Sequence, residues 1–286
     1  MQIQANMKHG IFNLSLLLIL FSSVKLEALT CNSALSLQET TVFELEALTS
    51  WRKFESELPS FPVVNRESTH QDVLNTIEDF RDFADQVRQR SLAFDEVSKD
   101  LLFKFTEELY AEMDRFSIWY NEFRGSRELY KTTRGIVGTA SRVRSYYFEA
   151  KVGFLLVRSG FQNIRGSTTL AELRQEHANE DNLSLEQKRY LSDRSQTEID
   201  FTASRNGVHY LIELKSYLPI MNNRFFSNMS KTKTQMSKRA EFLRLLGLES
   251  TWQMALIFEY EIEPSVMREH FDDLVDIHMG LTRFTD

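Results

Sequence analysis

One cysteine, Cys31, stands in 286 residues, so neither an internal disulfide nor a cysteine-cluster zinc site can form, and the residue does not report the redox compartment. There is no P-loop and no G-x-G-x-x-G, which removes both glycine-rich phosphate cradles. The six histidines, His9, His70, His177, His209, His270 and His278, show no H-x-x-x-H or related ligand spacing and read as surface or packed side chains. Four prolines argue against long disordered linkers, and no internal repeat is present. No apolar run approaches the roughly 20 residues of a membrane span. The 34 bases fall short of the 41 acids, and the resulting charge of -7 is unusual for a nucleic-acid binder, so its distribution matters more than its sum.

What is present is a hairpin. Residues 197–204 and 208–216 flank Arg205-Asn206-Gly207, and Asn-Gly between apolar runs signals a type I′ turn, which needs positive φ at both central residues. If Arg205 pairs with Val208, Asp200 stands opposite Glu213 and Glu198 opposite Lys215. Alternation then puts Ile199, Phe201 and Ala203 with Tyr210, Ile212 and Leu214 on a core face. The other face carries Glu198, Asp200 and Thr202 with Leu211, Glu213 and Lys215. Two carboxylates directly opposite destabilise a strand pair unless something compensates them. A hard divalent cation such as Mg²⁺ would do so, since it prefers oxygen ligands. The alternative is a solvated face with a cross-strand Glu198–Lys215 ion pair.

Residues 143–159 form an amphipathic helical pattern with Val143, Tyr147, Ala150, Phe154 and Val157 on one face and Glu149 beside it; Gly160 stops it, and a strand can begin at residues 161–164. Residues 231–246 are helical again, and residues 252–259 read as a buried strand. The order helix, strand, strand, strand, helix, strand points to a mixed sheet flanked by helices. At these residues the chain resembles the PD-(D/E)XK nuclease superfamily, with Glu149 in the first helix, Asp200 in Glu198-Ile199-Asp200-Phe201, Glu213-Leu214-Lys215 as the E-x-K element and Gln235 in the next helix. The resemblance implies a restriction-endonuclease-like fold and hydrolysis of phosphodiester bonds with Mg²⁺ or Mn²⁺. It implies Asp200 and Glu213 as metal ligands, Glu149 as an accessory ligand, Lys215 as the catalytic lysine and Gln235 as an assisting residue. Ile199 replaces the eponymous proline, and residues 166–196, polar with a helix around 185–191, read as an insertion between the first two strands.

Between Lys215 and Arg244 the bases Arg224, Lys231, Lys233, Lys238 and Arg239 meet one acid, Glu241, which favours phosphate binding; Lys231, Lys233, Lys238 and Arg239 are the expected contacts. Tyr217, Phe225 and Phe226 are candidates for base stacking. Residues 37–134 read as helices with apolar stripes and acidic outer faces, a bundle that restrains activity, binds a protein partner or only stabilises. Residues 135–141 are the expected junction. The apolar run 11–24 behind Lys8 suits a signal peptide over 1–28, with a membrane anchor or intracellular N-terminal helix as the alternatives. The expectation is therefore an α/β protein, α+β in detail: a mixed sheet flanked by helices over 136–286, preceded by an all-α region over 29–135. It would act as an exported metal-dependent nuclease, on DNA ahead of RNA, without a stable membrane span. Two other readings stay open, a catalytically inactive nucleic-acid or protein binding module of the same fold and a helical adaptor.

Overall fold

Apolar residues recur at helical spacing from Leu45 onward, and the chain forms helices there. The computed structural model describes residues 42–62, 70–123, 129–177, 183–193, 197–217 and 220–282; the expected signal segment and Cys31 lie outside them. Helix α1 (Leu45–Ser56) buries Ala47, Leu48, Trp51 and Phe54, and α2 (His70–Ser91) buries Val73, Ile77, Phe80, Ala84 and Val87. Helix α3 (Glu96–Phe123) begins at Asp95, whose carboxylate accepts from Ser98 N at 3.0 Å, an N-cap bond. It buries Leu102, Phe105, Leu109, Met113, Phe116 and Tyr120, one apolar stripe at helical spacing, while Leu101 is half-buried.

Helix α4 (Leu129–Arg158) packs against the helices before it and against the sheet. The segment expected as a junction, residues 135–141, lies inside it and is helical throughout. One side of α4 presents Tyr147 and Phe154 to the helices before it: ring centroids of Trp51, Phe83 and Phe105 lie 5.7, 5.4 and 5.4 Å from Tyr147, and Phe94 lies 4.9 Å from Phe154. Tilted and edge-on pairs at these distances are the favoured aromatic geometries, so this cluster is where much of the phenylalanine content goes. The other side of α4 packs on the sheet, where Phe201 Cζ lies 3.4 Å from the place a Cβ on Gly153 would take, an ordinary contact.

The sheet has five strands in the order β1-β2-β3-β4-β5: β1 (Gln162–Thr169), β2 (Glu198–Arg205), β3 (Val208–Lys215), β4 (Trp252–Tyr260) and β5 (Ile277–Thr282). The first three are antiparallel neighbours and the last three parallel, so the sheet is mixed. Helices α5 (Leu170–His177) and α6 (Leu185–Asp193) follow β1, α7 (Asn223–Leu246) crosses from β3 to β4, and α8 (Pro264–Phe271) crosses from β4 to β5. Leu211, Met254, Leu256 and Phe258 of the sheet pack with Phe225, Met229, Met236 and Phe242 of α7 and with Met267 and Phe271 of α8. The sheet is thus covered on both faces, an α/β architecture with helices on each side.

The hairpin forms as read. Arg205 pairs with Val208, the same register runs to Phe201 and Ile212, and Asn206 and Gly207 take φ of 54° and 80°. Two expectations about its faces are corrected. The second face is no open polar surface, because α7 covers it and leaves Leu211 fully buried and Glu213 2% exposed. Strict alternation also fails at its far end: Phe201 faces α4, yet Ile199 joins the cluster under α7 with Leu211. The cause lies at Asp200 between them.

Candidate functional site

Hydrogen-bonded pairs alternate along an antiparallel ladder, so after Phe201 and Ile212 the amide of Leu214 would next bond across to Ile199. It donates instead to Asp200 Oδ2 at 2.6 Å. A side chain has replaced a main-chain acceptor, β2 parts from β3 beyond Phe201, and the carboxylate of Asp200 is held at the strand edge. Glu198 therefore never faces Lys215, and the cross-strand ion pair does not form. Lys215 Nζ pairs with Glu213 Oε1 on its own strand instead.

Glu213 is the most buried member of the group. Besides Lys215 on Oε1, its Oε2 lies 2.6 Å from Arg239 Nη1, although no N–H points along that line and Oε2 has no hydrogen bond. Arg239 comes from α7 with its side chain 1% exposed, and its Nη2 donates to the Glu198 carbonyl at 2.6 Å. The expected role of Arg239 as a nucleic-acid contact is thereby corrected. It is an internal counterion that ties Glu213 to the start of β2. Sequence carried a signal for this: Phe225, Met229, Thr232, Met236, Arg239 and Phe242 recur at three- and four-residue intervals, so Arg239 falls on the apolar stripe of α7.

Glu149 reaches the same region from α4. Burial, with the negative charges of Asp200 and Glu108 next, pushes its carboxyl up to about 7. Asp200 is pushed up to about 6 by burial and then by Glu213, against the opposing pull of the Leu214 amide, Lys215 and Arg239. Both groups hold their proton to higher pH folded than unfolded, so the folded state binds more protons and stability falls as pH rises, from 3.8 to about 6 for Asp200 and from 4.5 to about 7 for Glu149. Burial raises Glu108 and Glu259 in the same sense. The metal-free protein is expected to melt about 5 °C or more lower at pH 8 than at pH 5. Thermal scans across that range check it, and Glu149→Gln should flatten the dependence.

Gln235 is half-buried one turn before Arg239 on α7. The Tyr217 Oη–Thr232 Oγ1 hydrogen bond and the Arg239–Glu213 ion pair show that α7 runs antiparallel to β3, which sets Gln235 near the level of Lys215. Lys231 and Lys238 are exposed and, with Arg224, recur every seven residues along one edge of α7. Lys233 points to the opposite side, into a cleft shared with Glu269 and His270 of α8. Among the proposed stacking residues Phe225 is core, Tyr217 is held by Thr232, and Phe226 is 42% exposed. His209 stacks on Trp252, a packed position, and His278 pairs with Asp272.

No family model matches the chain, and neither a curated protein nor a solved structure does. Among the described residues no helix is long and apolar enough to cross a membrane. The donor chemistry at Asp200, Glu213 and Glu149, carboxylates that include the raised Asp200 and Glu149 and one Glu213 oxygen without a hydrogen bond, suits a hard divalent cation. No three carboxylate, histidine or cysteine side chains among the described residues converge as a finished ligand set. A cation taken by Asp200 and Glu213 would compete with Lys215 for Glu213 Oε1.

Proposed function

We propose that the chain is a metal-dependent nuclease of the PD-(D/E)XK type with a restriction-endonuclease-like fold, hydrolysing phosphodiester bonds in DNA ahead of RNA. The observation that carries the reading is the gathering of Asp200, Glu213 and Lys215 at the edge where β2 leaves β3, with Glu149 of α4, raised by burial and then by Asp200, beside them. Asp200 and Glu213 would hold Mg²⁺ or Mn²⁺, with Glu149 beside Asp200. When bound, such a cation polarises the phosphoryl oxygen and lowers the pKa of a coordinated water. Lys215, the most exposed of the two cations on Glu213 with its side chain 17% accessible, would bring an ammonium to the negative charge that develops during cleavage. Glu149, beside Asp200, would lose its proton once a cation offsets the negative charges that raise it, and would serve as the accessory ligand. Export through residues 1–28 completes the proposal, as a secreted nuclease.

The test is incubation of the purified chain with plasmid, linear duplex, single-stranded DNA and RNA in Mg²⁺, Mn²⁺ or EDTA. Cleavage abolished by EDTA is expected; no cleavage of any substrate in either metal would remove the enzyme reading. Lys231→Ala and Lys238→Ala are each expected to weaken duplex binding and to reduce the slope of log K against log salt by about 0.9, with turnover of the bound complex nearly unchanged. Lys233→Ala, on the α8 side, should do less.

One observation favours a second reading, a binding module of the same fold without catalysis. Glu213 is already neutralised by Lys215 and Arg239, so the buried carboxylate is compensated without any metal ion. Isothermal titration with Mg²⁺ separates the two: uptake lost in Asp200→Ala belongs to the enzyme, and no uptake belongs to the module.

A further inference from the structure

The parallel strands β3, β4 and β5 run to one edge of the sheet, and in open α/β sheets ligands bind in the crevice outside those carboxyl ends. Lys215 closes β3 there, in register with Phe258 of β4. Alternation turns the next residue of each strand to the opposite face, which α4 covers. Ser216 meets Ser145 there, with the two Oγ atoms 2.8 Å apart, and Glu259 meets Arg144. Ser145 stands one turn before Glu149, so the helix that carries Glu149 also brings Arg144 to the edge that carries Lys215.

Arg144 is held by two contacts. Its Nε donates to both oxygens of Glu259, at 2.8 Å to Oε1 and 3.1 Å to Oε2, and its Cζ lies 4.9 Å from the centroid of the Tyr260 ring. A guanidinium has five N–H donors in a fixed fork, and Glu259 takes only the one on Nε. Among the described residues no hydrogen bond or ion pair takes either Nη, while the side chain stays 33% accessible against 14% for Glu259. The acid beneath it fixes the orientation of the fork and leaves its open end uncommitted.

Resting on the nuclease reading, we infer that Arg144 is a substrate-binding residue of the same site, its two Nη groups taking the oxygens of a backbone phosphate beside the one being hydrolysed. A planar fork matches two phosphate oxygens and stays charged throughout the working pH range. Lys215, which shares Glu213 with Arg239 of α7, would meet the strand from the α7 face of the sheet edge, and Arg144 from the α4 face. Glu259 is the positioning residue behind it.

The test compares Arg144→Lys, which keeps a charge partner for Glu259 and loses the fork, with Glu259→Gln, which keeps an acceptor for Nε and removes a negative charge from beside the phosphate. Binding of a linear DNA duplex and of the matching single strand is read by fluorescence anisotropy with Ca²⁺, and cleavage with Mg²⁺. Arg144→Lys is expected to weaken binding about tenfold and Glu259→Gln to tighten it. If Arg144→Lys fails to fold, Arg144→Gln with Glu259→Gln, an uncharged pair, takes its place with the same expected loss. A contact that only fastens α4 to β4 would move the melting temperature and leave Arg144→Lys binding like wild type. That result, or a loss in Glu259→Gln as large as in Arg144→Lys, overturns the subsite and leaves the nuclease standing where the wild type cleaves. Wild type that neither binds nor cleaves either DNA overturns both.

Discussion

Lys215→Ala protein is expected to fold normally and to cleave about 10²- to 10³-fold more slowly than wild type, the loss that follows removal of one preorganised group from a developing oxyanion. The fold should tolerate the change because Glu213 keeps Arg239 as a counterion on its other oxygen. Loss of an ammonium that keeps some access to solvent, beside a carboxylate with a second counterion, is a small perturbation of the ground state and a large one of the transition state. Circular dichroism melts and a plasmid nicking assay at matched purity and Mg²⁺ separate the two. Equal cleavage by wild type and variant would refute the enzyme reading and leave the binding module. Asp200→Ala behaves differently. It removes a proposed ligand and frees the Leu214 amide, so cation uptake should fall together with cleavage.

Arg239→Ala is expected to have the largest effect on stability, about 3–5 kcal/mol, because it leaves Glu213 charged inside the protein with Lys215 as its remaining partner and strips the Glu198 carbonyl of its donor. Urea titration reads the loss directly. Replacing the pair together, Arg239→Met with Glu213→Leu, should recover most of it, since an apolar pair of similar volume does not carry the desolvation cost of two buried ions. That doubly substituted protein should be folded and inactive. If Arg239 were a surface phosphate contact, Arg239→Ala would instead weaken nucleic-acid binding and leave the urea midpoint unmoved.

The hairpin was legible because everything that defines it is local: a two-residue turn with Asn206-Gly207 and two short apolar runs whose register follows from the turn. Helices α2, α3, α4 and α7 were legible from periodicity, although α4 runs through the expected junction because Gly135 and Gly138 are tolerated inside a long packed helix. The region read as a polar insertion proved to be the rest of β1 followed by α5 and α6. Its helix starts carried readable capping boxes: Glu172 Oε2 accepts from Thr169 N at 2.6 Å and Gln187 Oε1 accepts from Ser184 N at 2.8 Å. Strand β5 was missed, since its six residues include His278, Gly280 and Thr282 and show no clear alternation.

At the site, sequence grouped Asp200, Glu213 and Lys215 correctly on one hairpin but could not show how they are held. The exchange of a main-chain acceptor for the Asp200 carboxylate depends on β2 turning away toward β1, a property of the whole sheet. The burial of Arg239 was hidden by counting charge along the chain, which registers sign and ignores direction. Only its position on the helix stripe distinguished it from Lys238 beside it.

Helix α4 serves two hydrophobic interiors at once: Tyr147 and Phe154 belong to the aromatic cluster of α1–α3, while Gly153 and Glu149 belong to the sheet and its carboxylates. A helix shared in this way cannot be inherited by one half alone. Recombination that brought the sheet a different N-terminal partner would have to supply matching aromatic sockets for Tyr147 and Phe154, so the two halves are bound to diverge together rather than be traded as interchangeable parts.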